Sequence, residues 1–218
     1  ATVGQVRGIT PGAGSAAARD VPPRSGERVR IEVLRADVLR VQVGRAGKLL
    51  PAGDKAAPIV LPQPASKVTA TLEEDANELR IRTEALVLHI QRQPLRLSLD
   101  RIDAGKALPL WHELQPLDLD AAQTVQVLSS DAGERFFGGG QQNGRYEFKG
   151  RSLPISYSGG WEEGDRPSPA PMLLSSRGWG MLRNTWSDGE YDLRDADAAT
   201  LAHQEDRFDA YYFVGNDL

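Results

Sequence analysis

An all-β fold, an antiparallel β-sandwich, is predicted by three observations. From Glu27 onward, apolar and polar residues alternate in short runs. Turn-forming residues separate these runs at short intervals, and no segment keeps a helical period over three turns. Many short alternating strands joined by Gly- and Pro-rich turns define a sandwich or barrel.

Residues 8–26 are rich in Gly, Ala, Pro and Ser and read as an irregular lead-in with little to bury. The sandwich domain then runs over 27–218. Val29, Ile31 and Val33 alternate with Arg28, Arg30 and Glu32, and Leu39, Val41 and Val43 alternate with Arg40 and Gln42. Arg35-Ala36-Asp37 is short enough to close a hairpin between them. Further runs are carried by Val68, Ala70 and Leu72; by Leu79 and Ile81; by Leu86, Leu88 and Ile90; and by Leu95, Leu97 and Leu99. Glu74-Asp75-Ala76-Asn77, Gln93-Pro94 and Asp103-Ala104-Gly105 supply turns. Residues 103–124 read as a long crossover between two groups of strands, and Val125 and Val127 mark the next strand. Trp179, Met181 and Arg183 alternate after Arg177-Gly178, and Ser187-Asp188-Gly189 turns the chain toward Tyr191. The final strand places Phe208, Ala210, Tyr212 and Val214 on one face and Asp209, Tyr211 and Phe213 on the other. A strand this apolar on both faces belongs deep in a sandwich.

Apolar residues make up 40% of the chain and charged residues 26%, an ordinary globular composition. The net charge of -4, without a basic block, argues against nucleic acid or an anionic membrane as partner. No apolar run is long enough for a transmembrane helix. With no cysteine, disulfides, thiolate catalysis and Cys-based zinc sites are excluded. A lack of cysteine fits the cytosol and a bacterial periplasm alike. The chain starts at Ala1 without methionine, consistent with a removed leader or a trimmed sequence.

Catalytic constellations are weak. His89, His112 and His203 have no second histidine at metal-ligand spacing, so no metal site is expected. His89 lies on a strand opposite the leucines, which suits a structural or exposed role. There is no GxSxG elbow and no phosphate loop, because Gly138-Gly139-Gly140 leads into neither Lys-Ser nor an apolar helix. Glu162/Glu163 and Asp206/Asp209 are possible carboxylate pairs for glycoside chemistry, but acidic residues are expected in solvated turns and edges. No organic cofactor is implied.

Residues 135–171 concentrate glycine, aromatic rings and amides. Consecutive glycines permit positive φ and close approach of a ligand. Gln141, Gln142 and Asn143 offer paired donors and acceptors, Arg145 a charged fork, and Tyr146 and Trp161 flat apolar faces. Sugars present apolar C–H faces rimmed by hydroxyls, so this mixture suits them. Composition leaves two readings open: a sugar-contacting loop, or a loop that packs on a neighbouring domain.

Four segments, in order, resemble the N-terminal domain of glycoside hydrolase family 31. They are residues 79–90 running on to 94–97; Glu134-Arg135-Phe136-Phe137-Gly138-Gly139-Gly140; residues 171–184; and residues 208–215. The resemblance spans about 27–218. The stretch 138–145, with Trp161 and Arg183-Asn184-Thr185, looks like a bacterial subgroup. Gln141 stands where many members have Glu, Met172 where Phe is usual and Trp179 where Tyr is usual.

The resemblance implies a galactose-mutarotase-like supersandwich. It also implies a parent enzyme that uses an aspartate nucleophile and an aspartate acid/base in a retaining mechanism. Both aspartates would lie in a TIM barrel that follows this domain and is missing from the chain, so no residue here is assigned a catalytic role. Asp217, Asp209 and Glu134 do not fill that place. The family's N-terminal domain can send a loop to the rim of the barrel's active site. By position this is 138–165, with Gln141, Gln142, Asn143, Arg145, Tyr146 and Trp161 as candidate contacts. The expected partners are an α-linked oligosaccharide and the chain's own C-terminal barrel. The alternative is a freestanding carbohydrate-binding module stacking sugars on Trp111, Trp161, Trp179 and Trp186. A mutarotase or epimerase would need a general acid and base on one concave surface, for which His89 and His112 are poorly placed.

Overall fold

The structure, a computed structural model, describes residues 10–11, 18–21, 28–44, 59–60, 68–120 and 122–215. Among them there are strands and turns and no helix. Every strand pair is antiparallel. The first sheet has the order β1 (Thr10–Pro11), β2 (Ala18–Val21), β3 (Arg28–Arg35), β4 (Val38–Gly44), β18 (Phe208–Val214), β15 (Trp179–Arg183), β14 (Ser168–Ser175) and β12 (Phe136–Gln141). The second has the order β10 (Asp118–Leu119), β11 (Thr124–Ser129), β17 (Ala198–His203), β16 (Gly189–Asp192) and β13 (Ser152–Ile155). The third runs β5 (Thr71–Glu74), β6 (Glu78–Arg82), β7 (Leu86–Arg92), β8 (Leu95–Asp103) and β9 (Lys106–His112).

The period-two pattern produces these layers directly. Val29, Ile31, Val33, Leu39, Val41 and Val43 are buried on one face of the first hairpin. Leu86, Leu88, Ile90, Leu95, Leu97 and Leu99 do the same for the β7–β8 hairpin. Both groups join one core, in which Trp111 of β9 stands 6.3 Å from Trp179 of β15 and 5.1 Å from Tyr212 of β18. The first sheet is therefore one layer, and the two five-stranded sheets lie against it as the other. β18 is buried along nearly all of its length, as its two apolar faces predict.

Three expectations change. Within 8–26, Thr10–Pro11 and Ala18–Val21 are strands that extend the first sheet from β3; the rest of that stretch, like Asp217, lies outside the described residues. The 103–124 crossover holds β9 and β10, because Trp111 has a core to enter. The crossing itself is short and centres on Glu113. Val68 and Ala70 precede β5 and pack on the core from outside the strand.

Glu113 is buried where the chain passes from the third sheet to the second. Its backbone N–H donates to Leu97 O (2.9 Å), and it bridges to Leu128. Its carboxylate accepts from Leu97 N (2.8 Å) and from Gln126 Nε2 (2.7 Å). Gln126 Oε1 in turn accepts from Tyr212 Oη (2.7 Å) of the facing layer. Val125 and Val127 face away from the core, so β11 turns Thr124, Gln126 and Leu128 inward.

On the other face of the first sheet, Asp209 is buried rather than solvated. Arg40 donates to it twice, Nε at 2.8 Å and Nη2 at 2.6 Å, and Gln42 and Asn184 add bonds of 3.3 and 2.9 Å. Removing one partner of such a pair strands a buried charge, whereas the intact pair is fully satisfied. Asp209→Ala is expected to cost about 3–5 kcal/mol of unfolding free energy, measured by urea denaturation.

Burial pushes Glu113 up from 4.5 to about 7, against the bonds from Gln126 and Leu97 and the charge of Arg96. The folded state thus holds this proton more tightly than the unfolded chain. The resulting stabilisation is full below pH 4.5 and is lost as pH rises to about 7, a change of about 3 kcal/mol. Buried His203 runs the opposite way. Burial, then the charge of Arg183, push it down from 6.5 to about 3, so its contribution is full above pH 6.5 and is lost on acidification. Unfolding free energies of Glu113→Gln measured across pH 4–8 are expected to lose the decline toward neutral pH and to keep the loss at acid pH.

Candidate functional site

The candidate site is built on the end of β12. Gly138 and Gly140 take φ of +117° and +73°, and the β12–β14 register slips between them. A Cβ would lie 2.5 Å from Met172 O at the first and 2.3 Å from Ser168 O at the second, so only glycine fits. The bulge bends the chain off the sheet edge at Gln141. The 138–165 stretch is therefore not one loop: it contains the end of β12 and all of β13.

Two segments then brace one another. Asn143 N donates to Asp165 O (3.0 Å) and Gly164 N to Asn143 O (3.1 Å). Gln142 Nε2 donates to Gly139 O (2.8 Å) and Pro154 O (3.3 Å), which ties the bulge to β13. Gln141 Nε2 reaches Asn143 Oδ1 at 3.5 Å. Residues 158–166 close on themselves, since Ser158 and Arg166 exchange backbone bonds of 3.2 and 3.1 Å. Arg166 Nε donates to Ser156 O (2.9 Å), and Asp165 accepts from Glu162 N (3.0 Å).

This frame leaves aromatic rings in solvent. Tyr146 is 85% exposed and Trp161 80% exposed. Gln141 and Arg145 are exposed beside them, Asn143 is half-buried, and Gln142 is turned into the frame. Rings of this kind offer flat apolar faces, and the amides supply donors and acceptors around them. The sequence reading missed Tyr157, which is 71% exposed on the same frame; its position beside Gly159-Gly160 in an aromatic-rich stretch was the available signal.

The other residues singled out by sequence fall elsewhere. Trp111 and Trp179 are core residues, so neither can stack a sugar, while Trp186 is exposed. His89 bridges Glu78 (2.9 Å) and Asp100 (3.0 Å) on the third sheet. His203 is buried: its Nδ1 donates to Ser187 O (3.2 Å), so Nε2 accepts from Tyr191 Oη (3.0 Å). Glu134 is buried and accepts from Ser175 Oγ and from Trp179 Nε1 (2.9 Å), a packing role. Glu162, Glu163 and Asp206 are exposed. Among the described residues, no three His, Asp or Glu side chains are grouped to hold a metal ion.

Two antiparallel layers that meet through one aliphatic and aromatic core, with a braced aromatic lobe at one end, define a supersandwich domain. The chain belongs to the glycosyl hydrolase 31 N-terminal galactose mutarotase-like domain family, whose sequence pattern matches residues 28–192. No curated protein matches it in sequence. Among solved structures, it is similar to a Flavobacterium johnsoniae GH31 dextranase complexed with isomaltotriose, at 16% identity and TM-score 0.82 over 100% of this chain and 27% of that one. The cycloalternan-forming enzyme of Listeria monocytogenes, in complex with a pentasaccharide substrate, gives 17% identity and 0.78 over 99% and 21%. A GH31 α-xylosidase from a soil metagenome, complexed with xylose, gives 19% identity and 0.74 over 96% and 32%. The chain spans about a quarter of the length of these structures. At such identities the likeness establishes the fold.

Gly140→Ala is expected to destabilise the domain by on the order of 2 kcal/mol, read as a lower Tm, and to speed hydrogen exchange at the Asn143 amide.

Proposed function

We propose that this chain serves as the non-catalytic N-terminal domain of a retaining α-glycosidase or α-transglycosylase acting on α-linked oligosaccharides. In this reading it supports a C-terminal catalytic barrel of the same protein and shapes the entrance through which substrate reaches it. The observation that carries the proposal is the lobe at 140–166. Its backbone is tied down by glycine-only geometry and reciprocal hydrogen bonds, while Tyr146 and Trp161 stand in solvent. A preorganised aromatic surface binds without first having to be ordered. Gln141, Asn143 and Arg145 would meet sugar hydroxyls, Tyr146 and Trp161 would meet C–H faces, and Gln142 would hold the bulge beneath them. The oligosaccharide complexes of the similar dextranase and cycloalternan-forming enzyme support this substrate class.

In this reading the acid/base pair lies in the barrel, so the pure 218-residue chain is expected to release no p-nitrophenol from p-nitrophenyl α-glycosides. Measurable turnover would sink the non-catalytic reading. In the protein that carries the barrel, Trp161→Ala is expected to lower kcat/KM by about tenfold with an unchanged Tm.

A further inference from the structure

Three of the four exposed aromatic side chains among the described residues, Tyr157, Trp161 and Trp186, lie at or beside one end of the sandwich. Tyr146, Tyr157, Trp161 and Trp186 are 71–85% exposed. The registers place them. Ile155 of β13 pairs with Gly189 of β16, so Tyr157 lies two residues beyond that pair and Trp186 three residues before it. Gln141 of β12 pairs with Ser168 of β14, so the lobe that carries Trp161 leaves from the same end. Tyr146 follows Gly144, whose Cα faces the side chain of Glu163 within the lobe. The exposed aliphatic side chains, Leu108 and Leu114, are elsewhere: Leu108 pairs with Arg101, which bonds Gly215 O at the opposite end, and Leu114 N donates to Val127 O.

Trp186 is presented by a built turn. It sits on the 184–188 crossover between the two layers, flanked by Thr185 and Ser187. Thr185 Oγ1 donates to Glu205 (2.9 Å) and accepts from Ser187 N (3.0 Å). Ser187 O is held by His203 Nδ1 at 3.2 Å. Glu205 in turn pairs with fully buried Arg183 at 2.7 Å. The backbone on both sides of Trp186 is therefore fixed to the core, yet the indole makes no use of that core. Tyr157 is placed with similar economy: its Oη would lie 2.8 Å from a Cβ on Gly159, so the ring folds over a residue without a side chain.

From this we infer that Tyr157 and Trp186 form a second sugar platform, which extends the surface of Tyr146 and Trp161 and takes the distal units of a long α-linked oligosaccharide. The inference rests on the proposed function of the lobe. The exposed surface favours a glycan over a protein partner. Its rings stand among exposed acids, Glu162, Glu163 and Asp188, of which the cores of protein interfaces are depleted. It is edged by amides and by charges of both signs, at Gln141, Arg145, Glu162, Glu163 and Asp188, which suit hydroxyls.

The test is calorimetric titration of the full chain with isomaltotriose, isomaltoheptaose, maltotriose and maltoheptaose. The heptasaccharide of at least one series is expected to bind about tenfold more tightly than its trisaccharide. Trp186→Ala and Tyr157→Ala are expected to abolish that gain while leaving trisaccharide affinity and Tm unchanged, and Trp186→Phe to retain most of it. Trp161→Ala is expected to weaken both lengths. A length gain that survives Trp186→Ala and Tyr157→Ala, or no length gain in the native chain, overturns the second platform alone. Absence of binding by every sugar overturns it together with the sugar-contact role of the lobe.

Discussion

Leu97, Gln126 and Tyr212 come from three different sheets, and the side chain of Glu113 is what brings them together. Two five-stranded sheets can act as one layer only if something joins them where they meet. The backbone does part of this, through the bridge from Glu113 to Leu128 and the bond from Leu114 N to Val127 O. The carboxylate does the rest, with one oxygen on each sheet, and Gln126 passes the connection to the facing layer. A buried carboxylate with both oxygens occupied specifies a geometry that apolar packing by itself would leave loose, although burying it raises the cost of its charge.

The same logic extends along the interior of the second sheet. Thr124, Gln126, Tyr191 and His203 face inward from β11, β16 and β17, where a sandwich would ordinarily place aliphatics. Arg183 enters from the first sheet, its guanidinium 4.3 Å from the centre of the Phe208 ring and its Nη2 shared among Thr124, Glu205 and Arg207. Thr124, Gln126, Tyr191 and His203 each meet a partner, and Arg183 does so through Nη2. The network ends at the 184–188 crossover, so the polar interior of the fold is continuous with the turn that presents Trp186.

At the neighbouring sheet edge, rigidity has a different source. Gly138 and Gly140 let the backbone of β12 approach that of β14 so closely that no side chain fits between them. The resulting bulge aims the chain away from the sheet, and Gln142 locks it to β13. Polar groups are consumed inside the lobe while aromatic rings are left outside.

Period-two burial and turn chemistry are local properties, so the alternating runs of the sequence became β3, β4, β6, β7, β8, β11, β15 and β18, whereas β9, β10, β12, β13 and β17 emerged only where the sheets pair. Val29 to Val43 and Leu86 to Leu99 could be read as hairpins without any knowledge of the rest of the chain. Four motifs in order carried the family resemblance, and the aromatic, glycine-rich stretch at 138–165 was visible as an oddity of composition. Only the tertiary structure decided what depends on long-range pairing. Asp209 reads as one more surface acid until β4 is placed beside β18 and Arg40 closes on it, 169 positions away in sequence. Trp111 and Trp179 read as stacking platforms until the two layers meet and bury them against each other. Tyr157 and Trp186 come to share an end of the sandwich because β13 pairs with β16. A periodic pattern tells which face of a strand is buried; which strand lies opposite, and so which side chains are left at the rim, is settled by the way the sheets close on one another.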